Sequence, residues 1–209
     1  MVTGKQMKDI LSSPAAKMWK LSFHPSKCDV GGLSFRKPPD SANSAGEMRA
    51  NQAKVTRQDP SLLIEKDVNG NASLVPPWDN HATYTKLSPA TEIVISYDFT
   101  GCSLALVAGN SGVAVAHIYR GGNAAAINDN AKAQLENVKK AVACSSNERV
   151  AVFPTRGMEQ PKGAVSGSLI VGCMVDSAWT WYSLFVSSSS RIVTVAQISK
   201  EMWQGADAV

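Results

Sequence analysis

EIVISYDFTGCSLALVAGNSGVAVAHIYR, residues 92–120, is the stretch whose reading decides the fold. Ile93, Ile95, Tyr97 and Phe99 alternate with Val94, Ser96 and Asp98, the two-residue period of a β-strand. Two further apolar runs, 103–108 and 113–119, flank a turn at Asn110-Ser111-Gly112 and read as a hairpin. Their Val, Ile and Ala content suits strands buried on both faces. A hairpin centred between Asn110 and Ser111 sets Leu104 opposite His117 and Cys102 opposite Tyr119. Cys102 and His117 then share a face as diagonal neighbours, with Cα atoms roughly 7–8 Å apart. A turn one residue longer or shorter would send them to opposite faces.

Beyond this hairpin the period changes. Ile127, Ala131, Leu135, Val138 and Val142 recur at helical steps, which predicts an amphipathic helix over 123–143. Glu136, between Lys132 and Lys140, offers i,i+4 charge pairs on the opposite face. A strand at 150–153 stops at Pro154, and a meander of strands is predicted at 165–175, 179–186 and 191–198. Upstream, Leu62-Leu63-Ile64 and residues 72–75 read as short strands around an Asn69-Gly70 turn. Trp19, Leu21 and Phe23 alternate as in a half-buried strand, and 36–60 reads as a long loop or poorly ordered stretch. The expected fold class is α+β: a mixed, mostly antiparallel β-sheet sandwich core with one main amphipathic helix and long loops. Residues 1–60 are expected to be a loose segment packed on, or trailing from, a domain spanning 61–209.

The chain has 209 residues and a net charge of +4 without a dense Lys/Arg cluster, which gives no support for direct nucleic-acid binding. No apolar run approaches the roughly 18–20 residues that cross a bilayer, so no membrane partner is expected. The N-terminal residues lack the continuous apolar core of an ordinary secretory signal, so Cys28, Cys102, Cys144 and Cys173 are expected to stay thiols.

Chemistry concentrates on Cys102 and His117. A thiol of ordinary pKa, about 8.5, is only a few per cent thiolate at neutral pH, and a nearby imidazolium raises that fraction. His117 can then protonate a leaving group and activate water. Gly101 permits a sharp backbone bend that would aim nearby amides at a developing oxyanion. A buried cysteine and a hydrogen-bonded strand histidine explain the same letters without any chemistry.

The segment Ser96-Tyr97-Asp98-Phe99-Thr100-Gly101-Cys102, with His117 fifteen residues after the cysteine, resembles the glutamine deamidase toxins. That family includes Burkholderia lethal factor and the catalytic domain of cytotoxic necrotizing factor. Its hallmark is Leu-Ser-Gly-Cys at a strand end followed by a hairpin histidine; here Phe99-Thr100-Gly101-Cys102 stands in that place. Val75-Pro76-Pro77-Trp78, Leu87-Ser88-Pro89 and Gly167-Ser168-Leu169-Ile170-Val171-Gly172 extend the likeness over about 75–198. The resemblance implies Cys102 as nucleophile, His117 as its acid–base partner and Ser96 as the group that orients the histidine, with Asp98 a rival for that role. Thr100 and Gly101 would support the motif and the oxyanion.

The implied reaction converts a glutamine of a host protein, a Rho-type GTPase or a translation-initiation helicase, to glutamate. The implied carrier is a monomeric bacterial toxin, made in the bacterial cytoplasm and then secreted or injected into the host cytosol. No cofactor or metal is implied. A transglutaminase using the same site, or a non-catalytic binding domain on the same fold, is the alternative.

Other constellations are weaker. His24 and Cys28 have a zinc-compatible spacing but no second pair completes a site. Gly121-Gly122-Asn123 lacks the spacing of a phosphate loop and reads as a helix cap. His81 reads as a solvated loop residue. Trp179, Trp181 and Tyr182 suit either a substrate groove or plain strand packing.

Overall fold

The computed structural model describes residues 1–23, 47–48, 51–77, 82–99, 101–119, 124–146, 149–155 and 167–205. Helix α1 (Gly4–Ser12) is followed by a 3-10 turn (Pro14–Met18) and strands β1 (Lys20–Phe23), β2 (Glu47–Met48), β3 (Asn51–Gln58), β4 (Ser61–Lys66), β5 (Ala72–Val75) and β6 (Thr83–Lys86). Then come β7 (Ile93–Tyr97), β8 (Ser103–Gly109), β9 (Gly112–Ile118), helix α2 (Ala124–Ala141), β10 (Val150–Pro154), β11 (Gly167–Val175), β12 (Ala178–Val186) and β13 (Ile192–Ile198).

These strands build an eight-stranded sheet in the order β1-β4-β3-β5-β7-β11-β12-β13 and a five-stranded sheet in the order β10-β8-β9-β6-β2. The larger sheet curls until its edges nearly meet: Lys20 bridges Arg191, Leu21 N donates to Ser190 O at 2.8 Å, and Ile192 N donates to Trp19 O at 3.0 Å. The expected plain sandwich is thus corrected to a nearly closed barrel with a smaller sheet against it. Near closure leaves few unpaired edge groups.

Three apolar clusters follow from strand alternation. Ile93, Ile95, Tyr97, Leu169, Val171, Tyr182 and Leu184 point into the barrel, where Met7, Ile10 and Leu11 of α1 join them. The outer face of the barrel presents Val94, Ile170, Trp181 and Ile198 to Leu104, Leu106, Val115 and Phe153 of the smaller sheet. On the far side of that sheet Ala105, Val107, Ala114 and Ala116 take Val138 of α2 and Val142 just beyond its end. Each fully buried side chain of this kind contributes about 1.5–3 kcal/mol, so the two interfaces hold the layers together. Glu136 of α2 pairs with Lys139 at 2.7 Å.

The N-terminal region differs from expectation. Helix α1 is closed by a capping box in which Gln6 N donates to Thr3 Oγ1 and Thr3 N to Gln6 Oε1. Its Met7, Ile10 and Leu11 stand at helical spacing inside the barrel. Gly4 packs so tightly that an added Cβ would lie 2.3 Å from Met174 O. Residues 1–23 are therefore part of the core and not a loose segment, and the expectation of one main helix becomes two.

Strand β3 was likewise expected to be loop. It lies between β4 and β5, so the two strands read as neighbours around Asn69-Gly70 each pair with β3 instead. Only Ala53 and Val55 of β3 supply apolar inward side chains, too faint a pattern among Gln, Lys and Arg. Gly70 was the available signal, because a Cβ there would meet Ala53 O at 1.8 Å.

Candidate active site

The β8–β9 register pairs Leu104 with His117, the symmetric pairing expected from the turn. Cys102 immediately precedes β8 and sits with Leu104 in the cluster between the sheets. His117 is also paired with Thr83 of β6. Both candidate residues are deep: Cys102 is 6% exposed and His117 is 0% exposed. Cys102, Cys144 and Cys173 are all thiols, none in a disulfide.

Ser96 occupies the other wall. Its register partners on the adjacent strands are Val75 of β5 and Ile170 of β11. Its hydroxyl donates to Val75 O at 2.8 Å and contacts His117 Nδ1 at 3.1 Å. A carbonyl can only accept, so the single hydroxyl proton of Ser96 is committed to Val75. The 3.1 Å contact then requires Nδ1–H to donate to Ser96 Oγ. The ring is therefore the Nδ1–H tautomer, and Nε2 carries a lone pair. Among the described residues Nε2 has no hydrogen-bond partner.

Burial holds the imidazole neutral, with its pKa lowered from 6.5 to about 3. This corrects the expectation of a resting imidazolium: a cation in an apolar, unpaired environment is too costly to form at rest. The thiol and the ring share a face, with no hydrogen bond between Sγ and Nε2. Such contacts are often long before substrate binds.

Asp98, the rival orienter, leaves the strand. Strand β7 ends at Tyr97, and Asp98 turns to φ 61°. The alternation that would have set Asp98 beside Ser96 is broken there, and among the described residues it is Ser96 whose side chain bonds the imidazole. Gly101 has φ 112°, a left-handed value that side-chain-bearing residues rarely adopt, so the sharp bend before Cys102 requires glycine. Thr100, His24, Cys28, His81 and Gly121-Gly122-Asn123 lie outside the described residues.

Three residues that sequence reasoning passed over fix this site. Thr155 donates through its hydroxyl to Cys102 O, and its own N–H reaches the same oxygen at 3.4 Å. Ser168 Oγ accepts from Phe99 N at 2.9 Å and donates to Phe99 O at 3.0 Å. Gln134 of α2, fully buried, accepts from Tyr119 N at 3.0 Å, two residues beyond the histidine. Ser168 stood in the sequence only as part of the Gly167–Gly172 likeness, with no role given to it, and Gln134 left a trace as a polar residue on the apolar stripe of α2 next to Leu135 and Val138.

A separate cavity of about 680 Å³ lies at the other end of β8, lined by Leu106, Trp179, Trp181, Gln197, Lys200 and Trp203 among others. Trp179 stacks on Trp181 at 5.4 Å. Tyr182 is not part of it: its hydroxyl meets Ser12 Oγ at 2.8 Å on the barrel side. Among the described residues no group of three or more His, Cys, Asp or Glu converges as a metal site, and no helix is long and apolar enough to cross a membrane. No protein-family model matches the chain, and comparison with curated proteins gives no match.

Proposed function

We infer that this chain is a thiol-dependent protein-glutamine deamidase. The observation that carries the reading is the committed Ser96 proton, which leaves a bare Nε2 lone pair on the sheet face that also bears Cys102. The resemblance of 96–102 and His117 to the deamidase toxins supports it and adds the substrate class, a host-cell protein reached by secretion or injection.

A neutral imidazole acts as general base. Nε2 takes the Sγ proton as sulfur attacks the carboxamide carbon, forming the C–S bond and a tetrahedral oxyanion. Collapse breaks the C–N bond, and the nitrogen leaves as ammonia with the proton returned by Nε2. Water then gives its proton to Nε2 and attacks the thioester, and the thiol is regenerated as glutamate departs. Ser96 keeps Nδ1–H in place through each transfer, so Nε2 is always the atom that carries the moving proton.

The test is incubation of the full chain with purified Rho-type GTPases and translation-initiation helicases. Deamidation appears as a gain of roughly 1 Da at one glutamine, the mass of amide-to-acid conversion. Cys102→Ser should abolish it with the fold unchanged; equal behaviour of wild type and Cys102→Ser would sink the reading.

A further inference from the structure

Unbroken alternation would send Phe99 into the barrel with Ile93, Ile95 and Tyr97. The left-handed turn at Asp98 reverses it, and Phe99 packs between the sheets instead. Its ring lies on the imidazole of His117, with centroids 4.4 Å apart and planes inclined by 18°. The placement is specified and not merely packed. Ser168 of β11 holds the Phe99 backbone at both N and O, and Ser168 O accepts from Asp98 N at 2.8 Å.

The face of a phenyl ring is electronegative, and it attracts a cation far more than a neutral ring. His117 is neutral at rest because burial disfavours its charged form. It becomes a cation in the same apolar surroundings whenever Nε2 takes the thiol proton. Ser96 faces Nδ1, the nitrogen that does not take the thiol proton. The phenyl face is the neighbour that distinguishes the charged ring from the neutral one.

We propose that Phe99 is a positioning residue that stabilises the imidazolium of His117 when Nε2 accepts the Cys102 proton, and so raises the population of reactive thiolate. The inference rests on the Cys102–His117 reading above. In the step concerned one proton passes from Sγ to Nε2, the S–H electron pair stays on sulfur, and no net charge is created.

The test uses the full chain with mono-, di- and trifluorinated phenylalanine incorporated at position 99, which drain the ring face of negative charge while nearly keeping its shape. Iodoacetamide labelling of Cys102 at pH 6.5 is followed by mass spectrometry, with Cys144 as internal reference. The Cys102 rate should fall stepwise with fluorine, by about 10-fold across the series, the scale of a desolvated cation–π contact. Melting temperatures and the Cys144 rate should not change. Phe99→Leu should lie at or below the trifluoro rate; should it not fold, the fluorinated series decides alone. A flat or rising series with fast wild-type labelling overturns the Phe99 inference and leaves the deamidase reading standing. Wild-type Cys102 that labels no faster than Cys144 overturns both.

Discussion

Replacing Ser96 by alanine removes one hydroxyl and strands two buried groups, His117 Nδ1–H and Val75 O. Each buried polar group left without its partner costs about 1–3 kcal/mol, so the variant should lose about 2–6 kcal/mol of stability. For a chain of this size that corresponds to a melting temperature lower by roughly 4–24 °C. The kinetic loss should be larger in kind. With nothing to hold the proton on Nδ1, the Nε2–H tautomer becomes accessible, and that tautomer cannot act as base toward Cys102. Deamidation should fall by about 100-fold, the lower end of what a positioned general base contributes. Rates are to be measured well below both melting temperatures, with Ser96→Thr as the variant that keeps a hydroxyl. The wild-type tautomer is read directly from the imidazole 15N–1H couplings. A Ser96→Ala rate within threefold of wild type, or a wild-type spectrum with the proton on Nε2, would refute the reasoning.

Three other outcomes are expected. His117 has a folded pKa of about 3 against about 6.5 in the unfolded chain, so between these values the unfolded state binds the extra proton. Its contribution to stability is full above pH 6.5 and declines as pH falls toward 3, by at most about 1.4 kcal/mol per pH unit; urea midpoints should drop less steeply with acid in His117→Gln, and parallel slopes would refute this. Burial in the barrel pushes the Cys173 thiol up to about 12, so it should stay unlabelled by iodoacetamide at pH 8 in native protein while Cys102 labels first; Cys173 labelling as fast as Cys144 would contradict the barrel assignment. Gly172→Ala would put a Cβ 2.5 Å from Trp181 Cζ3, so it should cost about 1–3 kcal/mol and change the near-ultraviolet circular dichroism of the Trp179–Trp181–Trp203 cluster; an unchanged spectrum and melting point would show that the ring moves aside freely.

Strands β7, β8 and β9 could be read correctly because their information is local. Period-2 alternation and a short turn set the β8–β9 register, and register alone sets Leu104 against His117. Helix α2 and the β11–β12–β13 meander were legible for the same reason, since each carries its pattern within its own length. What hid was stabilised from a distance. Helix α1 is short, and its apolar face has meaning only inside a barrel built from strands that follow it. Strand β3 has two small inward residues and is held by ladders on both sides.

The candidate site divides along the same line. By itself the sequence singled out Cys102 and His117 as candidates and set the histidine opposite Leu104, two residues from the cysteine, because side chains two residues apart on one strand share a face. Only the tertiary structure decided that Ser96 and not Asp98 meets the imidazole, that the ring is neutral, and that Phe99 lies over it. Those outcomes depend on one left-handed residue at the crossing between two sheets and on hydroxyls from Ser168 and Thr155, far along the chain. A reversal at Asp98 and burial between two layers are properties of the assembled sheets, and no window of sequence contains them.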